Sequence, residues 1–117
     1  MTNIEYTPGT ESKVETFEAN GTFEKTDGYC TDVFFNQALK WVEAKSGQQP
    51  FFCYIAYNTP HSPMQVPDKY YSQYKNLELK SVYHGKEKED IEFTRTALAM
   101  CQNLDDNIVL NSIFESL

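Results

Sequence analysis

The apolar positions fall into three patterns along the chain. From Phe51 to Tyr57 almost every residue is aromatic or aliphatic, with no polar alternation. Such a run predicts a strand covered on both faces, as in a parallel α/β sheet. Before it, Phe35, Ala38, Leu39 and Val42 recur at helical spacing, with Phe34 and Trp41 at the flank. Gly28-Tyr29-Cys30-Thr31-Asp32 leads into this helix, Thr31 or Asp32 being suited to cap its first N–H groups, and Ser46-Gly47 ends it. After the strand, Pro67-Asp68-Lys69 opens a short helix with Tyr70, Tyr71 and Tyr74 on a partial face. Residues 76–88 read as a charged loop containing His84-Gly85.

A long helix is expected from about Glu89, and its pattern contains a conflict. Ala97, Cys101, Leu104 and Ile108 lie within roughly 60° of one another at about 100° per residue. Val109, Leu110, Ile113, Phe114 and Leu117 centre on roughly the opposite side. Either the helix breaks near Asn107 to Val109, or the chain is two residues short there. At the other end, residues 1–13 are polar and read as a loop or frayed terminus. Asn20-Gly21 is a two-residue hairpin signal, because both residues tolerate positive φ, with Phe17 and Phe23 placed to face one another. Asn20-Gly21-Thr22 also matches a short, common glycosylation acceptor.

A helix followed by a buried strand is half of an α/β layered architecture. One convincing strand needs neighbours for its backbone groups, and a short hairpin cannot supply a sheet. The chain therefore reads as a piece of a larger α/β domain: an N-terminal segment over 1–13, then part of that domain over 14–117.

Composition narrows the function. The 117 residues are 40% hydrophobic, 23% charged and 15% aromatic, which argues against disorder. A net charge of −7 speaks against a nucleic-acid binder, which needs a basic face. No apolar stretch approaches a membrane span, and the first 20 residues lack the pattern of a signal peptide. Cys30, Cys53 and Cys101 are odd in number and lack C-x-x-C spacing, which disfavours a disulfide framework or zinc site. Cys53 reads as a small buried hydrophobe.

The candidate chemistry is His61, in Asn58-Thr-Pro-His-Ser-Pro63 just past the strand's carboxyl end, where binding sites of open α/β sheets lie. Pro60 and Pro63 stiffen the backbone around it. An imidazole titrates near neutral pH and donates a proton or hydrogen bond to an anion. A loop histidine capping a carbonyl is the plain alternative. His84 reads as a surface residue. Adjacent carboxylates on a helix do not chelate one ion easily, so Asp105-Asp106-Asn107 reads as solvated or locally capping, and no metal ligand is assigned.

The succession GYCTDVFFNQALKWVEAKSGQQPFFCYIAYNTPHSPMQVPDKYYSQY resembles the middle of the formylglycine-dependent sulfatases, of the alkaline-phosphatase-like superfamily. In these a G-Y-x-T-D turn leads a helix, then a P-F-F-x-Y strand, then an N-x-P-H-x-P loop. TALAMCQNLDDNI is similar to their helix with M-x-x-x-x-D-D-N. The resemblance implies a partial alkaline-phosphatase-like layered fold: a buried central strand, flanking helices and a short N-terminal hairpin. It also implies that His61 is the active-site histidine, contacting the sulfate ester and protonating the leaving oxygen.

The sequence departs from the family in what it lacks. Val109-Leu110 stand where members carry Gly-Arg, which fits the two-residue phase break. Members make their formylglycine from a cysteine, or less often a serine, in C-x-P-x-R or a close variant, and none of the three cysteines here fits that pattern. The family's calcium ligands and the lysine that partners the histidine fall outside these residues.

The resemblance therefore implies a fragment of a sulfuric ester hydrolase, inactive alone, whose complete form uses calcium and formylglycine and is exported to the periplasm, extracellular space or lysosome. A non-catalytic binding module of the same descent is the alternative, as is part of a phosphoester or phosphonate hydrolase. An unpaired apolar strand also predicts self-association of the isolated chain.

Overall fold

The computed structural model describes residues 15–80, 85 and 88–115, with side chains over 20–80, 85 and 88–109. The N-terminal segment over 1–13 and His84 lie outside the described residues. Two strands come first, β1 (Glu15–Ala19) and β2 (Thr22–Thr26), paired antiparallel. Asn20 and Gly21 both take positive φ, 51° and 80°, the left-handed backbone region that a tight two-residue hairpin turn requires. The register sets Phe23 opposite Glu18 and Phe17 opposite Glu24. The two phenylalanines are therefore not cross-strand partners, which corrects the expectation that they face one another.

Helix α1 (Cys30–Lys45) follows Gly28, whose φ of 112° turns the chain into it. Tyr29 occupies the cap position and makes no side-chain bond to the helix. Thr31 and Asp32 lie inside the first turn and spend their side chains on other elements, so neither is the cap. The stripe expected on α1 is present: Phe35 is buried, and Ala38, Leu39 and Val42 are half-buried. The Ser46 N–H bonds the Val42 carbonyl at 2.8 Å and Gly47 turns away at φ 74°.

Residues 51–57 form neither helix nor strand, and among the described residues no strand pairs with them. Burial alternates along the segment. Cys53, Ile55 and Tyr57 are half-covered, with Tyr57 stacked on Phe35 at 4.7 Å between ring centroids. Phe52 and Tyr54 are 86% and 80% exposed on the other side. The expected two-sided burial is thus replaced by one covered face and one bare face. A uniformly apolar run records what a strand can bury and not what this chain supplies to bury it.

The short helix α2 (Asp68–Tyr74) starts behind Pro67, and all three of its face tyrosines pack inward. Met64, Val66 and Tyr70 meet Ala99 and Met100 in the core, with Tyr71, Tyr74 and Ala97 around them. Helix α3 (Ile91–Glu115) is capped by Asp90, whose carboxylate accepts the Phe93 N–H at 3.0 Å. Arg95 holds the end of the α2 connection by donating from Nε and Nη2 to the Leu77 carbonyl, at 3.2 and 2.9 Å.

Helix α3 does not break near Asn107; it is continuous through Glu115. Its buried face is also not the expected one. Thr96, Ala99, Met100, Asn103 and Asn107 are buried, whereas Cys101 and Ile108 are exposed. The buried face lies about 100° round the helix from the apolar stripe. What turns it is the polar demand of α1.

Candidate functional site

The site is assembled where the first turn of α1 meets the loop that follows residues 51–57. Three consecutive residues, the cap Tyr29 and the first two residues of α1, reach this loop on both sides of its middle. The Tyr29 hydroxyl donates to the Gln65 carbonyl at 2.7 Å. The Asn58 amide nitrogen donates to Cys30 Sγ at 3.2 Å. The Thr31 and Thr59 hydroxyls share a hydrogen bond at 3.1 Å. The G-Y-x-T-D turn and the N-x-P-H-x-P loop are therefore two halves of one contact, and this explains physically why the two patterns occur together in this chain.

His61 sits at the exposed middle of the loop, between the cis Thr59–Pro60 and Ser62–Pro63 bonds. Its Nδ1 lies 2.6 Å from the Ser62 carbonyl oxygen. A carbonyl only accepts, so Nδ1 carries a proton and Nε2 is the nitrogen left for a ligand. One ring nitrogen thus meets a carbonyl, as in the plain loop reading, and that contact decides which nitrogen is left open.

Behind this turn lies a polar junction. Asp32 Oδ1 accepts from Asn103 Nδ2 at 2.7 Å and from Asn107 Nδ2 at 2.8 Å. Asn107 Nδ2 also donates to the Asn103 carbonyl at 2.9 Å. Asn103 is fully buried, and its Oδ1 has no partner among the described residues. Two side-chain amides thus face the helix that carries the carboxylate, and α3 turns its polar positions inward to meet it.

Of the Asp105-Asp106-Asn107 run, Asp105 and Asp106 are exposed, and Asp106 accepts from Gln102 at 2.8 Å. Asn107 is buried and joined to Asp32, a role its neighbours do not share. Reasoning from sequence missed Asn103 and the outward tasks of Tyr29, Thr31 and Asp32. A signal existed: Thr96, Asn103 and Asn107 fall at helical spacing with Ala99 and Met100. That stripe mixes polar with apolar residues, and hydrophobic periodicity passes over it.

On the far side of α1, an open groove of about 440 Å³ is lined by Phe34, Ala38 and Trp41 from the helix and by residues 52–56. Trp41 meets Phe51 edge-on at 5.3 Å. Tyr57, beneath the segment, has its hydroxyl held above the usual phenol range by burial and, next, by the nearby Cys53.

The described residues do not fit a calcium site: no three His, Cys, Asp or Glu side chains among them gather as one would require. Nor does any of the three cysteines lie in a formylglycine sequence, and all three are free thiols. No described helix is long and apolar enough to cross a membrane.

The sulfatase family model matches residues 2–112. An arylsulfatase of Klebsiella aerogenes is 30% identical over 69 residues, covering 51% of this chain and 15% of its own. An N-acetylglucosamine-6-sulfatase of Homo sapiens is 39% identical over 49 residues, covering 42% of this chain and 9% of its own. An uncharacterized sulfatase of Escherichia coli (strain K12) is 42% identical over 50 residues, covering 40% and 9%. The matched part is therefore 9% to 15% of these relatives' length. No solved structure matches the chain.

Proposed function

Because this chain belongs to the sulfatase family, we propose that it forms part of a sulfuric ester hydrolase and contributes His61 to the reaction centre. The observation that carries the reading is the divided imidazole: Nδ1 is held by the Ser62 carbonyl, and Nε2 stands on an exposed loop. With Nε2 protonated, the ring donates a hydrogen bond to a sulfate oxygen, or its proton to the departing alcohol oxygen. In the second case the ring is left neutral with its proton on Nδ1, the form that the Ser62 carbonyl stabilises.

Charge supports the same reading. The chain carries −7 overall, yet between Lys45 and Asp68 there is no Asp or Glu. An anion approaching His61 meets no carboxylate on the segment that holds it. The layered arrangement of the alkaline-phosphatase-like superfamily is part of the proposal, with α1 as one cover of residues 51–57. The relatives' names point to sulfate esters as the substrate class, and an exported location follows from the family likeness.

Calcium and formylglycine would belong to the complete enzyme. The described residues fit neither. The chain by itself is expected not to hydrolyse sulfate esters.

Two measurements test the proposal. An aryl sulfate titrated into the chain should shift the ring signals of His61, and in the His61→Gln variant the remaining His84 signals should not respond. Turnover of that ester by the purified chain in calcium buffer, at a rate removed by His61→Ala, would disprove the claim that it is inactive alone.

A further inference from the structure

We infer that the first turn of α1 is a positioning device for His61, with Tyr29 and Thr31 as direct holdfasts and Asp32 as the anchor to α3; the inference rests on the reading of His61 as the sulfate-contacting group. Residues 60–63 are all exposed, so packing contributes little to their orientation. The loop is gripped at its flanks. Thr59, two residues before His61, meets the Thr31 hydroxyl at 3.1 Å, and Gln65, four residues after it, accepts from Tyr29 at 2.7 Å. Thr31 is 0% exposed, so it cannot touch a ligand and acts only through the loop.

The turn that grips is itself fixed from behind. Asp32 follows Thr31 directly, and its carboxylate receives the two amides of α3 at 2.7 and 2.8 Å. Successive helical residues point about 100° apart. Thr31 and Asp32 therefore look toward different neighbours, one to the loop and one to α3. A hydroxyl and a carboxylate in adjacent positions so convert the seating of α3 into the placement of an imidazole some thirty residues on in the chain.

The test uses the full chain labelled with 13C,15N-histidine. The chain has two histidines, and His84→Ala assigns the signals. In the parent chain the neutral ring of His61 should be the Nδ1–H tautomer. Thr31→Val keeps the volume and removes the hydroxyl. It should mix the tautomers and speed amide exchange at His61 by roughly two- to tenfold, the effect of losing one hydrogen bond. Thr31→Ser should restore both readouts. Tyr29→Phe removes a single oxygen and should move them in the same direction, which keeps the test open if Thr31→Val does not fold.

Tyr74→Phe is the control, since it deletes the Tyr74–Gln102 bond elsewhere in the chain and should leave the His61 tautomer unchanged. The inference is overturned if neither Thr31→Val nor Tyr29→Phe alters the tautomer, if Thr31→Ser does not restore it, or if Tyr74→Phe alters it equally. Inorganic sulfate added to the parent chain reports separately. An unresponsive ring there overturns the sulfate contact while leaving the positioning result in place.

Discussion

Asp32 and Asn107, 75 residues apart in sequence, meet in a 2.8 Å hydrogen bond that joins the first turn of α1 to the middle of α3. The bond is shared: Asn103 brings a second amide to the same carboxylate oxygen. It connects the G-Y-x-T-D turn to the helix carrying the Asp-Asp-Asn run, and it accounts for the face that α3 buries.

Removing the acceptor should be costly. Asp32→Ala leaves the buried Asn103 amide without its acceptor, at about 1–3 kcal/mol for a buried group left unmet, and takes one of its acceptors from the Asn107 amide, which keeps the Asn103 carbonyl. Asp32→Asn keeps a side-chain oxygen in place and should lose clearly less. Urea denaturation followed by circular dichroism distinguishes them, and equal losses would mean that these hydrogen bonds contribute nothing specific.

The two asparagines should respond differently. Asn103→Leu removes a donor but also removes the unpartnered buried Oδ1, so the change should stay within about 1 kcal/mol of neutral. Asn107→Leu deletes two donated bonds and should cost more. The same denaturation experiment ranks the pair, and the reverse order would contradict this assignment.

A third prediction concerns acid. The Tyr71 hydroxyl bonded to Glu92, and after it Arg95, hold the Glu92 carboxyl below its ordinary range. A carboxylate depressed in the folded state adds stability above its unfolded pKa and loses it as pH falls through the folded value. Tyr71→Phe should therefore flatten the acid limb of melting temperature against pH. The effect should be small and fade with salt, because the carboxyl faces solvent. An acid limb identical in the two proteins would contradict it.

The two faces of residues 51–57 should behave as different surfaces. Phe35→Ala empties the face that holds Tyr57 and should cost about 3–5 kcal/mol. Tyr54→Lys changes a side chain already in solvent, should alter stability by no more than about 0.5 kcal/mol, and should reduce self-association by placing a charge on an unpaired edge. Sedimentation velocity and thermal melts read the two effects. A Tyr54→Lys chain that associates as strongly as the parent would locate the contact elsewhere.

Much of this fold was legible because local rules govern it. Asn20-Gly21 turns where two residues must accept positive φ, and Ser46-Gly47 ends α1 for the same backbone reason. The aromatic stripe of α1 and the tyrosines of α2 follow from helical spacing. Elements whose surroundings decide them were misread. The segment 51–57 was expected between two covers, and it has one. Helix α3 was expected to bury Cys101 and Ile108, but a carboxylate contributed by another helix turns Asn103 and Asn107 inward instead. At the proposed site, the loop pattern alone singles out His61 as the candidate. Tyr29 and Thr31 could not be found so, because a hydroxyl reaching across more than twenty-five positions leaves no periodic trace.

The bare stretch from Phe51 to Tyr57 carries a practical consequence. A segment outside regular structure that pairs with no described strand, with Phe52 and Tyr54 open to solvent, is a form in which a protease takes hold of its substrate. Chymotrypsin should nick the chain there first and part the hairpin and α1 from the histidine loop. Trypsin finds no lysine or arginine between Lys45 and Lys69, and should leave that whole stretch in one peptide for mass spectrometry.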